Sequence, residues 1–326
     1  MTDLHTPMLS VVIPTHKRPG HLPRAIRSAL ASAPSGDVEV IVVQNGFDTS
    51  WESTANHFTS DSRVRWAPIA NAQANAARNH GMRKARGQYL RFLDDDDALV
   101  AEGAKHQLST LAATGADICS GTVNIVDGAG TFIRHMQHSD ATDLFTAMAR
   151  HTRLCLPTAH LFNRASLYDF EWDESVRVEQ DTEWMLRISS LRDWTWVAVD
   201  NVVGEWTRHD APRTSGTVSH IERWSRTSLM LIASAERLRS REALTNSRRA
   251  ALSESLWLYA HSSFYAAPFF WGTAIKLARE LCPDSLPPEE FFSRPMIRRI
   301  NPLLLEWLML PKRWINHKIR LAQGRA

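Results

Sequence analysis

The sequence predicts an α/β protein with a mainly parallel sheet flanked by helices, followed by a mostly helical C-terminal region. Three observations carry that prediction. Short β-branched runs alternate with helical segments up to about residue 120, the pattern of βαβ units. The first two runs, Leu9–Ile13 and Val38–Val43, are nearly continuous apolar stretches, as expected of strands covered on both faces. From about Ile221 onward the pattern is helical and rich in arginine. A division near residue 218 follows, giving regions 1–218 and 219–326.

Taken in order, the strand candidates are Leu9–Ile13, Val38–Val43, Val64–Trp66, Tyr89–Leu93 and Asp117–Cys119. Between them, helices are expected over His21–Ser32, Ser50–Phe58, Ala72–Lys84 and Ala101–Thr114. The stretch "GTVNIVDGAGTFIRH" then reads as a hairpin turning at Asp127-Gly128. A loop in "FEWDESVRVEQDTEWMLRISS" leads into a helix carrying Trp184, Leu186 and Ile188, and "WTWVAVD" is a further strand.

Composition narrows the class. An apolar fraction of 44% and a charged fraction of 22% over 326 residues are those of a globular chain. The formal charge of +3 suits an anionic ligand or surface but is too small to indicate nucleic acid. Cys119, Cys155 and Cys282 are scattered and odd in number, so neither a disulfide framework nor a cysteine metal site is expected, and a reducing cytoplasm fits. The N-terminal residues lack the pattern of a signal peptide. Between Glu254 and Lys276 no charged side chain occurs, close to the roughly 20 residues that span a bilayer. His261, Pro268, Gly272 and three serines make that stretch a poor insertion sequence and favour a buried or interfacial helix pair.

In open α/β sheets ligands bind beyond the carboxyl ends of the strands. Three polar clusters fall at such ends: "PTHKRPG", "QNGFD" and "DDDD". The last, Asp94–Asp97, is the most telling. Four adjacent carboxylates repel one another unless they are solvated or share a cation. Asp97 also suits the cap of the following helix, which leaves the preceding three for a ligand.

The strings "LSVVIPTHKRPGHLPRAIRSAL", "VEVIVVQNG" and "ANAARNHGMRKARGQYLRFLDDDD" resemble the family 2 glycosyltransferases, which have the Rossmann-like GT-A fold. The resemblance covers roughly residues 9 to 215. It implies an inverting transfer of a sugar from a nucleotide diphosphate sugar, a UDP-sugar first among them, to an acceptor hydroxyl. It also implies a divalent cation, Mn²⁺ or Mg²⁺, held by an Asp-x-Asp element. Asp96 is then the main metal ligand, with one of Asp94 and Asp95 meeting the ribose or the metal. A hard dication is what brings carboxylates and a pyrophosphate together, and it neutralises charge on the leaving diphosphate. Pro14, Thr15 and Arg18 are expected beside the base. Gln44 and Asn45 stand where the family has the acids that read uracil, and an amide can still donate and accept. Arg78 and Asn79 match the element that faces the nucleotide and phosphates.

The same resemblance makes Asp181, in "EQDTEWMLR", the general base. Gln180 occupies the usual place of a first acid, Glu179 is the neighbouring alternative, and a plain N-cap role for Asp181 competes with both. In "GEWTRHDAPRTSG", His209 is a candidate metal or phosphate ligand supported by Arg213, on a segment suited to a lid. Trp172, Trp184 and Trp206 are candidates either for stacking on the acceptor or for the core.

The C-terminal stretch places Leu303, Leu304, Leu305, Trp307, Leu308 and Leu310 among arginines and lysines. It suits either peripheral contact with the inner face of the plasma membrane or a packed helix with a solvated tail. A saccharide or lipid-linked saccharide acceptor, in surface-glycan assembly, is the family expectation. Two other readings compete: a catalytically inactive nucleotide-sugar-binding or scaffolding subunit, and a phosphohydrolase of the haloacid dehalogenase type. The second ranks lower because its Asp-x-Asp belongs to the first strand, whereas this run follows the fourth.

Overall fold

The structure, a computed structural model, describes residues 6–137, 140–150, 152–208 and 218–323. The chain divides into two compact units, Met1–Leu144 with Arg153–Thr214 and Phe145–Thr152 with Ser215–Ala326.

In the first unit, β1 (Leu9–Thr15), α1 (Leu22–Leu30), β2 (Val38–Gln44), α2 (Glu52–Asn56), β3 (Val64–Trp66), α3 (Ala74–Lys84) and β4 (Tyr89–Phe92) alternate as the sequence predicts. All seven residues of β1 and of β2 are buried. They run parallel from Leu9↔Val38 to Thr15↔Gln44, so Thr15 and Gln44 stand side by side at the carboxyl edge. Leu9–Val12 also pair with Tyr89–Phe92 in parallel, which delivers residues 94–97 to that same edge. α3 packs on β1 through Gly81, where an added Cβ would come within 2.3 Å of Val12 Cγ1. Only a glycine permits that approach.

Beyond β4 lie β5 (Ala98–Leu99), α4 (Ala101–Thr114), β6 (Ile118–Asp127) and β7 (Phe132–Met136). α5 (Leu144–Arg150), β8 (His160–Asn163), α6 (Gln180–Leu191) and β9 (Trp196–Arg208) follow. The sheet is mixed, in the order β3-β2-β1-β4-β8-β6-β9-β5, with β7 beside β6. Its β3-β2-β1-β4 half is all parallel, whereas β8 pairs antiparallel with both β4 and β6. β6 and β9 pair in parallel from Ile118↔Trp196 to Asp127↔Arg208, with two register shifts. β9 therefore runs well past the expected end of "WTWVAVD" and takes Trp206 into the sheet. The β6–β7 hairpin forms, but its left-handed residue is Gly130 (φ 83), not Gly128. Asp127 Oδ1 accepts from the Ala129 and Thr131 amides at 2.9 and 2.8 Å, which moves the turn two residues on.

The second unit is helical: α5, α7 (His220–Ser240), α8 (Asn246–Ser263), α9 (Pro268–Leu281), α10 (Glu290–Ser293) and α11 (Pro302–Ala322). Ser219 and Thr245 cap α7 and α8, accepting from the Glu222 and Arg248 amides. The uncharged stretch after Glu254 forms the facing ends of α8 and α9, which pack together, with Pro268 opening α9. Among the described residues no helix is long and apolar enough to cross a membrane.

Candidate active site

The acid run follows directly on β4. Asp95, Asp96 and Asp97 are 4%, 8% and 1% exposed, so solvation does not relieve their repulsion. Two side chains from the loop after β1 meet them. Thr15 Oγ1 donates to Asp95 Oδ2 at 2.7 Å, and Arg18 Nη1 reaches Asp96 Oδ2 at 2.7 Å and Asp95 Oδ1 at 3.3 Å. Burial, then the neighbouring Asp96 charge, pushes the Asp95 carboxyl up to about 7 against the opposing pull of Thr15 and Arg18.

Asp97 is not the cap of α4, whose cap is Val100. It accepts instead from Thr158 Oγ1 and from the Thr207 amide, both at 3.0 Å. It thereby ties the acid run to the short 3₁₀ turn Pro157–Ala159 and to β9. Burial and the Asp96 and Asp94 charges raise it well above the usual carboxylate range.

Across from the run, α3 presents a polar face. Asn75 Nδ2 donates to the Asp173 carbonyl (2.8 Å), and Gln73 Nε2 to those of Glu174 and Val176 (3.1 and 3.0 Å). Asn79 Nδ2 donates to the Trp172 carbonyl (2.9 Å), and its Oδ1 accepts from the Trp172 amide (2.7 Å). This clamp fixes the segment that leads into α6, and with it Asp181. The run of amides in "NAQANAARN" is the sequence signal for it, and Gln73 and Asn75 belong to the site although no motif marks them.

Arg78 joins the two sides. Its guanidinium lies over the Trp172 ring at 4.6 Å and donates to Asn75 Oδ1, Gln180 Oε1 and Asp94 Oδ1 at 3.0, 3.2 and 2.8 Å. Asp181 Oδ1 stands 3.6 Å from the same Arg78 Nη2 and is buried without a hydrogen-bond partner among the described residues. The carboxylate is 26% exposed as a side chain, so its other face is open. Enclosure raises it to about 7 against the pull of Arg78, with Asp94 and Glu179 pushing in the same direction as enclosure. Asp181 lies in the first turn of α6 and does not cap it. The cap position belongs to Glu179, a non-glycine at φ 57. Gln180 at the usual place of an acid has a local reason: its amide accepts from Arg78 and donates to the Val176 carbonyl, which a carboxylate cannot do.

Other expected ligand residues are drawn into the scaffold. Pro14 is buried within β1. Gln44 Nε2 turns back to the Gly46 carbonyl at 2.5 Å, and Asn45 Nδ2 to that of Thr15 at 3.2 Å, with both residues buried. Asn79, 1% exposed, is spent on the Trp172 segment rather than on an open cleft. Trp172 and Trp184 stack on each other in the core at 4.2 Å, edge-on to Phe92, so neither is free to hold a sugar. His209 and Arg213 lie outside the described residues.

Asp94, Asp96 and Asp97 each offer a carboxylate oxygen within 4.8 Å of the others. An all-oxygen donor set of three carboxylates suits a hard dication such as Mg²⁺ or Mn²⁺. Asp97, expected as the cap of the following helix, joins that group. The site thus pairs a cation-seeking acid cluster with a separate carboxylate of raised proton affinity, and Arg78 stands between them.

The family model described as Glycosyl transferase family 2 matches residues 10–194, more than half of the chain. An uncharacterized glycosyltransferase of Rickettsia bellii is 29% identical over 133 residues, which cover 40% of this chain and 19% of that protein. One of Haemophilus influenzae is 28% identical over 148 residues, covering 44% and 58%. The chain therefore spans only part of the curated relatives' lengths. Among solved structures, S. aureus TarS 1-349 in complex with UDP-GlcNAc superposes with a TM-score of 0.63 at 14% identity. That alignment covers 97% of this chain and 92% of the other, so the two share a fold.

Proposed function

Because the chain belongs to glycosyl transferase family 2, we propose that it moves a sugar from a nucleotide diphosphate sugar to an acceptor hydroxyl by a single, inverting displacement. The observation that carries this is the Arg78 bridge: one buried cation fixes Asp94 of the acid cluster and stands beside Asp181, the carboxylate with raised proton affinity. Asp181 takes the proton of the acceptor hydroxyl as that oxygen bonds to C1 of the donor sugar and the bond from C1 to the diphosphate breaks. A carboxylate with a pKa near 7 is matched to that exchange at neutral pH, and such a base contributes about 10²–10⁴-fold. Glu179 is two residues away, and its charge adds to the raised proton affinity of Asp181.

The cation, Mn²⁺ or Mg²⁺, would be held by Asp94 and Asp96 with Asp97 beside them. When bound, it supplies charge neutralisation to the departing diphosphate. Arg18 already reaches Asp95 and Asp96 and is placed to bring positive charge to an anionic donor. A UDP-sugar is the proposed donor, a reading supported by the UDP-GlcNAc complex of TarS. With Gln44 and Asn45 turned inward, base recognition falls to the loop after β1. The acceptor is proposed to be a saccharide or lipid-linked saccharide of surface-glycan biosynthesis, reached from the cytoplasm where nucleotide sugars are made. Family membership displaces the phosphohydrolase reading. An inactive scaffolding subunit is disfavoured by the intact pairing of Asp181 with the acid cluster.

The test is nucleotide release from a panel of UDP-, GDP- and dTDP-sugars, with Mn²⁺ and with EDTA, for wild type and Asp181→Ala. Metal-dependent turnover of one donor, lost in Asp181→Ala while donor binding persists, is expected. Absence of metal-dependent binding of any nucleotide would overturn the reading.

A further inference from the structure

From the second unit taken by itself, we infer that α11 is an interfacial helix that docks on an anionic lipid surface. Leu304, Leu308, Ile315 and Ile319 recur at intervals of four, seven and four residues, which puts them on one stripe of the helix. They are 53%, 66%, 51% and 49% exposed, an apolar stripe turned to solvent along four turns. Trp307 and Trp314 border it, half-exposed. The opposite face is the one that packs, because Leu305 and Glu306 are buried.

The charges around this stripe identify the partner. Between Phe291 and Ala326 the only acidic residue is Glu306. Glu306 is fully buried and neutralised from inside, with His261 Nδ1 and Arg313 Nη1 each 2.6 Å from its two oxygens. Lys312 and Lys318 flank the stripe, and the Lys318 ammonium sits 5.4 Å from the Trp314 ring. Arg298 and Arg299 are exposed in the turn that precedes the helix. An exposed apolar stripe flanked by Lys312 and Lys318, with aromatic rings at its border and the nearby Glu289 held by His261, matches the boundary between anionic headgroups and acyl chains. A second copy of the same helix would set cation against cation, so self-association does not fit these charges.

The ion pairs of Glu306 also give the helix a firm seat. His261 on α8 holds Glu306 and approaches Glu289 at 2.8 Å, so α11 is pinned by its buried face while its apolar stripe stays outward. The surface is therefore preformed.

Flotation of the full-length chain with vesicles tests this. Wild type is expected to float with phosphatidylcholine–phosphatidylglycerol vesicles at low salt, weakly with pure phosphatidylcholine, and less when salt rises to about 0.5 M. Lys312→Glu with Lys318→Glu should weaken binding by at least about twentyfold, since each basic residue near an anionic leaflet contributes about fivefold. Leu308→Asp with Ile315→Asp alters only exposed positions and should abolish flotation while the circular dichroism spectrum is unchanged. Failure of wild type to float on anionic vesicles overturns the inference, as does equal binding to neutral ones. Flotation that survives Leu308→Asp with Ile315→Asp also overturns it. So does a dimer, seen by light scattering, that those two changes dissolve.

Discussion

Arg78 Nη2 stands 3.6 Å from Asp181 Oδ1, while the same nitrogen donates to Asp94 at 2.8 Å. The candidate base and the acid cluster therefore share one cation, and each feels a change at the other. Arg78 is itself held in place by its stacking on Trp172, so the geometry is a property of the core as much as of the cleft.

The first consequence concerns pH. Asp181 is raised to about 7, chiefly by enclosure, and it works as a base only when deprotonated. Activity should therefore rise with pH through about 7 and fall on the acid side. Arg78 pulls that value down, so Arg78→Met should move the midpoint of kcat/KM to higher pH. A profile with an unmoved midpoint in Arg78→Met would detach the two residues from each other.

A second prediction separates support from ligation within the acid run. Asp97→Asn can still accept from the Thr207 amide and relieves the repulsion with Asp96 and Asp94, so its unfolding free energy should change by less than about 1 kcal/mol. Asp97→Ala leaves the Thr207 amide and Thr158 hydroxyl without their acceptor and should cost about 2 kcal/mol. Urea titration of both variants checks the pair.

Cation binding should register in stability as well as in turnover. At about 100 times its Kd, Mn²⁺ adds about 2.7 kcal/mol to the folded state. The thermal midpoint of wild type should rise on adding Mn²⁺, and that rise should shrink in Asp96→Asn. An equal rise in both proteins would move the cation away from Asp96.

His160 supplies a prediction independent of the active site. Its Nδ1 accepts from Ser120 Oγ (2.8 Å) and its Nε2 donates to the Leu154 carbonyl (2.7 Å), which fixes the neutral tautomer. Burial lowers it to about 4, so between pH 6.5 and 4 the unfolded chain binds a proton that the folded chain does not. Stability from this group is present above 6.5 and is lost as pH falls toward 4. Measured against His160→Gln, wild type should lose up to about 3 kcal/mol across that window, a figure set by the size of the depression.

The legible part of this fold is the part that is buried on both faces. β1 and β2 could be read because all their residues are covered, and α4 because Gly115 ends it in the left-handed conformation. β9 extends beyond its sequence signal because its exposed and buried residues do not alternate cleanly, and the register shifts opposite Gly121 and Thr122 break its periodicity. The positions of Asp94–Asp97 and Asp181 were readable as motifs. The roles of Asp97, Gln73 and Asn75 were not, since each is defined by a partner distant in the chain, such as Thr207 or Asp173. Trp172 and Trp184 illustrate the same limit. Nothing local tells a tryptophan that will stack on a sugar from one that will stack on another tryptophan.

The Asp97–Thr207 hydrogen bond spans 110 residues. On a ribosome adding about 5–20 residues per second, that separation corresponds to roughly 5–20 s of synthesis. Through that interval the nascent acid run is complete while its anchor on β9 does not yet exist. A chain emerging from the exit tunnel thus already carries Thr15, Arg18 and Arg78, the partners of Asp94–Asp96, and lacks only Thr158 and Thr207, which hold Asp97. The cleft is closed late, by a strand that arrives after every other strand of the sheet has been made.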